Sequence, residues 1–458
     1  MQSLMTGAQY KASLKDGRAV YFGGGRVDDV ASHPAFAAAV DRAAEGYDQR
    51  RAGDEESFEP PRSVEALRRL ARTTLDPIAG FTHTSLMTLL TAAQRIANRR
   101  PQAAAMVQAY VEEARAKGWS IAECISDSKG DRARHPGEQL DPDQYVRVVG
   151  RRADGVVIRG AKLHISGAAI CHELMTIPTK AMRQGEEAYA IACMVPVDAK
   201  GVSIINTISG ARPGDPRDAP ISRRLELAQG FVVFDDVFVP HERVFLDGET
   251  DCAGAFAHSL GLWTRTRNLA DACDDAELLV GFAQLAAEAN GLEKIAHIRE
   301  KISDLIINAT LVRACFEAAI ATARPDVNGT MVPDELFTNA GKHQAAASLS
   351  AMVQHLQDIC GGSLVTAPSM SDLDNPETGA FVRKYMSGRE GVDGTYRLRL
   401  FHAVRDLVAS EFAGYTAVAK LHGGGGLYAQ RVVTRGRYDM AAAKRKALAA
   451  AGLEPPAR

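Results

Sequence analysis

The sequence predicts an α+β chain in three parts: an N-terminal helical domain over 1–140, a middle antiparallel β-sheet or small β-barrel domain over 141–262, and a C-terminal helical bundle over 263–458. Three observations lead there. Apolar residues recur at helical spacing through most of the first third and again after 263. Between these stretches lie short β-branched and aromatic runs bounded by Gly, Pro or Asp, with no helical pattern intervening, which points to antiparallel pairing rather than βαβ units. A length of 458 residues with 46% hydrophobic and 24% charged content supports several packed cores.

Each element has its own signal. "SHPAFAAAVDRAAEGYDQRR" sets Ser32 as an N-cap and Pro34 near the first turn of a helix. "SVEALRRLARTTL" and "PQAAAMVQAYVEEARAKG" repeat the spacing, the second closing on Gly118 as a C-cap. The more apolar "HTSLMTLLTAAQRIANRR" between them is expected to pack centrally. "YVRVVGRRADGVVIRGAKLHI" reads as two strands about "ADG", followed by strands in "ELMTIPT", "AYAIACMVPV", "GVSIINTI" and "FVVFDDVFVP". The run from Asp274 to Ala323 holds two helices broken near "ANG", and the next helix starts after Pro333 and stops at Gly361–Gly362. "YRLRLFHAVRDLVASEFAGYTAVAK" is a last helical stretch, broken at "LHGGGG".

Composition narrows the function. A formal net charge of −2 gives no electrostatic basis for binding nucleic acid or an anionic membrane. No apolar run is long enough to span a bilayer and "MQSLMTGAQYKASLKDG" lacks a signal-peptide core, so a cytoplasmic protein is expected. The seven cysteines form no C-x-x-C or C-x-x-x-C pair, so neither a disulfide framework nor a local metal site is expected. No G-x-G-x-x-G opens a βαβ unit, and no H-E-x-x-H, Walker loop or G-x-S-x-G elbow is present. The glycines of "LHGGGGLYAQR" follow a helix, and read either as its C-cap or as a place of close backbone approach.

One stretch stays unexplained by pattern alone: "GAKLHISGAAICHE", residues 160–173, carries two histidines, a serine and a cysteine at a strand end. These letters suit a metal site, a nucleophile or the lining of a cofactor. Its context decides among them. The helix–sheet–helix order is similar to the acyl-CoA dehydrogenase architecture. "MTGAQYKASLKDGRAVYFGGGRVDDVASHPAF", "ISDSKGDR", "VVIRGAKLHISGAAICHELMTIPT", "FVVFDDVFVPHERVF" and "DICGGSLVTAPS" resemble, in order and spacing, the 4-hydroxyphenylacetate 3-hydroxylase family.

That resemblance implies FAD, taken up as FADH2 from a separate flavin reductase, and a homotetramer formed by the C-terminal bundles. One branch of the family hydroxylates phenols with oxygen through a flavin hydroperoxide. The other is 4-hydroxybutyryl-CoA dehydratase, a flavin and iron–sulfur enzyme that also isomerises vinylacetyl-CoA. "KGDR", "AKLHISGAAICHE" and "AVAKLHGGGG" lean toward the dehydratase, yet Thr264 and Asp271 stand where that branch has a His and a Cys ligand. Gln229 and Ala419 stand where it has two glutamates that shuttle protons. His83, Met87 and Glu123 occupy the positions of the hydroxylases' Arg, Tyr and His.

The resemblance further implies that Ser166 meets the flavin's polar edge, that Gly167 permits close approach, and that Ser126 and Asp127 line its pyrimidine side with Arg132 near a phosphate. Gln357, Gly361 and Gly362 would close over a neighbouring subunit's FAD, and Arg265 and Arg267 are open to a pyrophosphate or a surface role. His83, Glu123 and His164 are the acid–base candidates, and His164 is equally open to a core role. The expected function is a FADH2-dependent monooxygenase of an aromatic, phenolic substrate. A cluster-free flavoenzyme acting on an acyl-CoA and an inert flavin-binding scaffold are the alternatives.

Overall fold

A computed structural model describes residues 5–52, 58–72, 77–209 and 214–455. Helix α1 (Gly7–Ser13) is fixed by a reciprocal capping box between Thr6 and Gln9. A hairpin of β1 (Val20–Phe22) and β2 (Gly25–Val27) follows, then α2 (Ala37–Ala52), α3 (Val64–Ala71), α4 (Pro77–Ile96) and α5 (Pro101–Lys117). Ser32 does not cap α2, which begins at Ala37. The His33 ring accepts the Ala35 N–H and its carbonyl accepts those of Phe36 and Ala37, a local turn that outcompetes helix there. Gly118 closes α5 in the left-handed conformation, as its position predicts.

Next come β3 (Ile121–Cys124), β4 (Arg147–Arg152), β5 (Gly155–Ser166), β6 (Glu173–Thr176), β7 (Ile191–Pro196), β8 (Val202–Thr207), the short α6 (Ser222–Leu225), β9 (Gln229–Pro240) and β10 (Val244–Asp247). They build a six-stranded sheet in the order β2-β1-β8-β9-β5-β4 and a four-stranded one in the order β10-β7-β6-β3. The pairing is antiparallel except for β1 with β8 and β3 with β6. Val156, Ile158, Val232 and Phe234 of one sheet and Leu174, Ile191, Cys193 and Val195 of the other share a single buried cluster, so the sheets pack face to face.

The bundle consists of α7 (Thr250–Ala289), α8 (Ala296–Ala321), a two-stranded ribbon of β11 (Arg324–Pro325) and β12 (Met331–Val332), α9 (Glu335–Cys360), three short helices α10 (Ser363–Thr366), α11 (Met370–Asp374) and α12 (Gly379–Tyr385), then α13 (Gly394–Val408), α14 (Glu411–His422), α15 (Leu427–Arg437) and α16 (Met440–Ala451). The last stretch expected as helix is two helices: Ser410 accepts the Ala413 N–H and starts α14 afresh.

Two expected boundaries move. The one at 262/263 falls inside α7, because "DCAGAFAHSLGLW" continues the helical spacing and the sheets end at Asp247. The one at 140/141 leaves β1, β2 and β3 on the helical side, although each pairs into the sheets. Among the described residues no helix is long and apolar enough to cross a membrane.

Candidate active site

Helix α4 lies between β3 and α7, and three side chains meet where they touch. His83 comes from α4, Glu123 from β3 and Arg267 from α7, with Thr264 and Asp271 one turn to either side of Arg267. Positions 264, 267 and 271 share one face of α7 by helical spacing. Thr264 Oγ1 lies 3.5 Å from Glu123 Oε2, while Glu123 Oε1 is buried without a hydrogen-bond partner. Arg267 Nε is 3.9 Å from Asp271 Oδ2, and its guanidinium sits 4.3 Å over the Phe81 ring. It packs closely on Gly80, where a Cβ would stand 3.0 Å from Arg267 Nη1.

The electrostatics separate the roles. Burial pushes Glu123 up to about 7, with Arg267 and Thr264 pulling the other way. Burial, helped by the Arg267 charge, lowers His83 to about 3, so its imidazole is neutral at physiological pH. Burial raises Asp271 to about 6 against the pull of Arg267. A carboxyl that titrates near neutrality beside a fixed cation can accept a proton from a weak acid. A small cavity of about 30 Å³ adjoins His83 and Arg267 between α3, α4 and α7, with Leu67, Leu70, Thr84 and Trp263 among its other walls.

The expected cofactor edge lies at the end of β5. Ser166 Oγ donates to Gln229 Oε1 at 2.7 Å, and Gln229 Nε2 donates to Leu227 O at 3.0 Å. Tyr415 of α14 lies near Ser166. Two hydroxyls and an amide, neutral and adaptable as donors or acceptors, suit the alternating carbonyl and N–H edge of a flavin. His164 leaves the strand's alternation: a register shift between Lys162 and Ile165 and a φ of 62° turn it outward, exposed, where partial desolvation and the charges of Lys129 and His422 lower its pKa.

Several expected site residues are engaged elsewhere. Gly167 is left-handed, with φ 69°, and a Cβ there would meet Ile78 Cδ1 at 2.5 Å, so its close approach is to α4. The Asp127 carboxylate is spent inside the chain, on Lys162 Nζ at 2.9 Å, Val146 N at 2.9 Å and the Thr179 hydroxyl. Ser126 is half-buried and its carbonyl accepts Leu163 N, while Arg132 is exposed on the same loop. Gln357 donates to Val408 O at 2.8 Å within its own chain, and Gly361 and Gly362 are exposed at the end of α9. Arg265 turns inward instead, donating to Gly424 O at 2.7 Å and Asn339 Oδ1 at 2.8 Å. The glycines after α14 thus serve close approach: Gly424 and Gly425 have φ of 71° and 93°, and a Cβ on Gly424 would stand 2.9 Å from Arg265 Cγ.

Family models for 4-hydroxyphenylacetate 3-hydroxylase match nearly the whole chain, the N-terminal one over 6–58 and 55–246 and the C-terminal one over 253–452. The chain belongs to the 4-hydroxyphenylacetate 3-hydroxylase family. It is 30% identical over 346 residues to the 4-hydroxybutyryl-CoA dehydratase/vinylacetyl-CoA-Δ-isomerase of Clostridium aminobutyricum, covering 72% of this chain and 70% of that one. It is 28% identical over 431 residues to the 4-hydroxyphenylacetate 3-monooxygenase oxygenase component of Thermus thermophilus, covering 89% of each. Both branches recur among solved structures. An archaeal 4-hydroxybutyryl-CoA dehydratase from N. maritimus superposes with a TM-score of 0.88 at 24% identity, over 99% of this chain and 96% of that one. The oxygenase component of 4-hydroxyphenylacetate 3-monooxygenase, complexed with FAD and 4-hydroxyphenylacetate, superposes at 0.85 and 25%, over 97% and 98%. The acyl-CoA dehydrogenase-like fold expected from the sequence is the one this family member adopts.

Proposed function

We propose that this chain is the oxygenase component of a two-component, FADH2-dependent monooxygenase that hydroxylates a phenolic substrate. The carrying observation is Glu123: a buried carboxyl titrating near 7, one oxygen unpartnered, beside a guanidinium. A phenol needs such a group, because its ring becomes far more electron-rich once the hydroxyl proton is taken. FAD, delivered reduced by a separate reductase, would supply the electrons that activate molecular oxygen, and O2 would supply the transferred atom.

Ser166, Gln229 and Tyr415 would hold the flavin's polar edge. Arg132, at the tip of the 125–135 loop, would reach a phosphate. Asp127, clamped to Lys162, holds that loop in shape rather than touching ligand. Glu123 accepts the phenolic proton, neutral His83 offers a donor or an acceptor but no charge, and His164 guards the solvent side. Exposed apolar residues on α8 and α12, such as Ile307, Leu311, Phe381 and Tyr385, support the reading that the bundles assemble into a homotetramer. Gly361 and Gly362 at the tip of α9 are then free to close over a neighbour's cofactor. Seven cysteines, none of them joined in a disulfide, suit a reducing cytoplasm.

The test is rapid mixing of anaerobic FADH2 and protein with oxygenated buffer. The expected result is a protein-dependent delay in the return of oxidised-flavin absorbance and, with a phenol present, a hydroxylated product. Reoxidation at the rate of free FADH2 with no product would sink the reading.

Identity to the dehydratase favours a second reading, an acyl-CoA flavoenzyme. Against it, Thr264, Asp271, Gln229 and Ala419 replace the groups that chemistry needs. Thermal stabilisation by crotonyl-CoA or 4-hydroxybutyryl-CoA would revive it.

A further inference from the structure

We infer that His402 is a proton-operated latch: while its imidazole is neutral the helical bundle holds the 215–222 segment between β8 and β9, and a proton on it releases that segment. The inference stands apart from the oxygen chemistry and uses none of the residues placed in the site.

Residues 214–222 cross from the sheets onto the bundle, and only Ser222 among them is buried. Polar ties rather than apolar burial therefore hold them. Asp406 of α13 accepts the N–H groups of Ile221 at 2.8 Å and Ser222 at 2.7 Å. Asp218 reaches to α11, accepting Met370 N at 2.8 Å, and Arg217 pairs with Asp374 at the end of the same helix. A segment fixed in this way opens locally at less cost than unfolding the whole chain.

His402 of α13 sits among these ties with 1% of its surface exposed. Its Nε2 is 2.8 Å from Pro368 O and 3.3 Å from Asp218 Oδ1. Both are acceptors, so Nε2 carries the proton of the neutral ring. Nδ1 is then a bare lone pair, buried and with no hydrogen-bond partner among the described residues. A second proton would go on Nδ1, where the closed latch offers it no acceptor.

The facing charges are Asp215, Arg217 and Asp218 from the segment, Asp374 from α11, and Arg405 and Asp406 from α13. Arg217 already pairs with Asp215 and Asp374. Burial, together with the Arg405 charge, holds the imidazole below its ordinary pKa against the pull of Asp218 and Asp215. The latch is therefore whole above the free imidazole's value, about 6.5, and drains as pH falls below it, because the released ring reaches water and takes the proton. Past the latch the chain runs to Leu227, whose Cδ2 would stand 3.5 Å from a Cβ on Gly167, and to Gln229, which accepts from Ser166. Release thus loosens the stretch that leads into the expected cofactor edge.

Hydrogen exchange of the full-length protein, read by mass spectrometry at pH 7.5 and 5.5 and corrected for intrinsic rates, tests the latch. Amides of 215–222 and of Met370 are expected to lose up to about tenfold in protection at the lower pH, the limit set by an open-state pKa of about 6.5, while amides inside α7 lose less. His402→Gln keeps a donor toward Pro368 and cannot be charged, so the step between the two pH values should vanish. If that variant fails to fold, Asp218→Asn decides. A step that survives it belongs to the imidazole, and one that disappears belongs to the carboxylate and overturns the latch. Equal protection of the wild-type segment at both pH values, a step retained by His402→Gln, or an equal loss throughout α7 overturns it as well.

Discussion

At the scale of single residues, Glu123 shows how burial makes a base. Its pKa of about 7 means that the proton-accepting form grows as pH rises through neutrality. Hydroxylation should therefore climb with pH across about 6–8, and Glu123→Gln should remove that limb and cost at least about a hundredfold in kcat/KM. A pH profile of each enzyme checks both. The same raised value bears on folding. The carboxyl favours the folded state below about 4.5 and loses that contribution as pH rises through 7, so the glutamine variant should be no less stable at pH 8 by thermal unfolding. Glu123 and His83 are expected as acid–base candidates from the family resemblance, and the structure brings them near Arg267. In the sequence Arg267 reads only as a phosphate or surface group. Its packing against Gly80 and Phe81 of another helix is something no local pattern reports. The 264/267/271 spacing on α7 was the one available hint.

At the scale of elements, buried polar pairs fix where the site's loops lie. Lys162 and Asp127 are each almost wholly buried, and Lys162 Nζ also donates to the carbonyls of Ile125 and Ile177, so β5 grips the 125–130 loop. Lys162→Met would strand the aspartate, at a cost of about 3–5 kcal/mol in urea unfolding, and Asp127→Asn in the same chain should recover part of it. His172 is a second tie: Nδ1 accepts Ser120 N at 3.0 Å, and Nε2 lies 2.8 Å from Ser13 Oγ, joining α1 to the start of β3. Burial lowers it to about 4, so stability is whole above pH 6.5 and drains as pH falls from 6.5 toward 4. The fall in thermal stability between pH 7 and 5 should shrink in His172→Gln, with His83 accounting for a share of what is left. Period and punctuation made most elements readable, including the "ADG" hairpin and the Gly118 and Gly361 stops. Missed were the short strands β1 to β3, whose three or four residues are too few to show alternation. The bulge at His164 was missed because nothing in "KLHIS" announces a positive φ.

At the scale of the whole molecule, the three-part plan and the family were legible from the order of the parts, while the boundary after the sheet was not. Helix α7 crosses it, running 40 residues from Thr250 to Ala289, roughly 60 Å of continuous rod. Its first half packs on α4 beside the site, and its second half carries Leu279, Ala283 and Ala286 into the core of the bundle. Replacing Ile307 and Leu311, 57% and 50% exposed on α8, by glutamate should lower the particle mass in sedimentation if the bundles assemble as proposed. Because one continuous rod carries Arg267 near its middle and the bundle core along its second half, the site and the assembly share one element. Specific activity should accordingly fall when the enzyme is diluted far enough to come apart, and return on reconcentration.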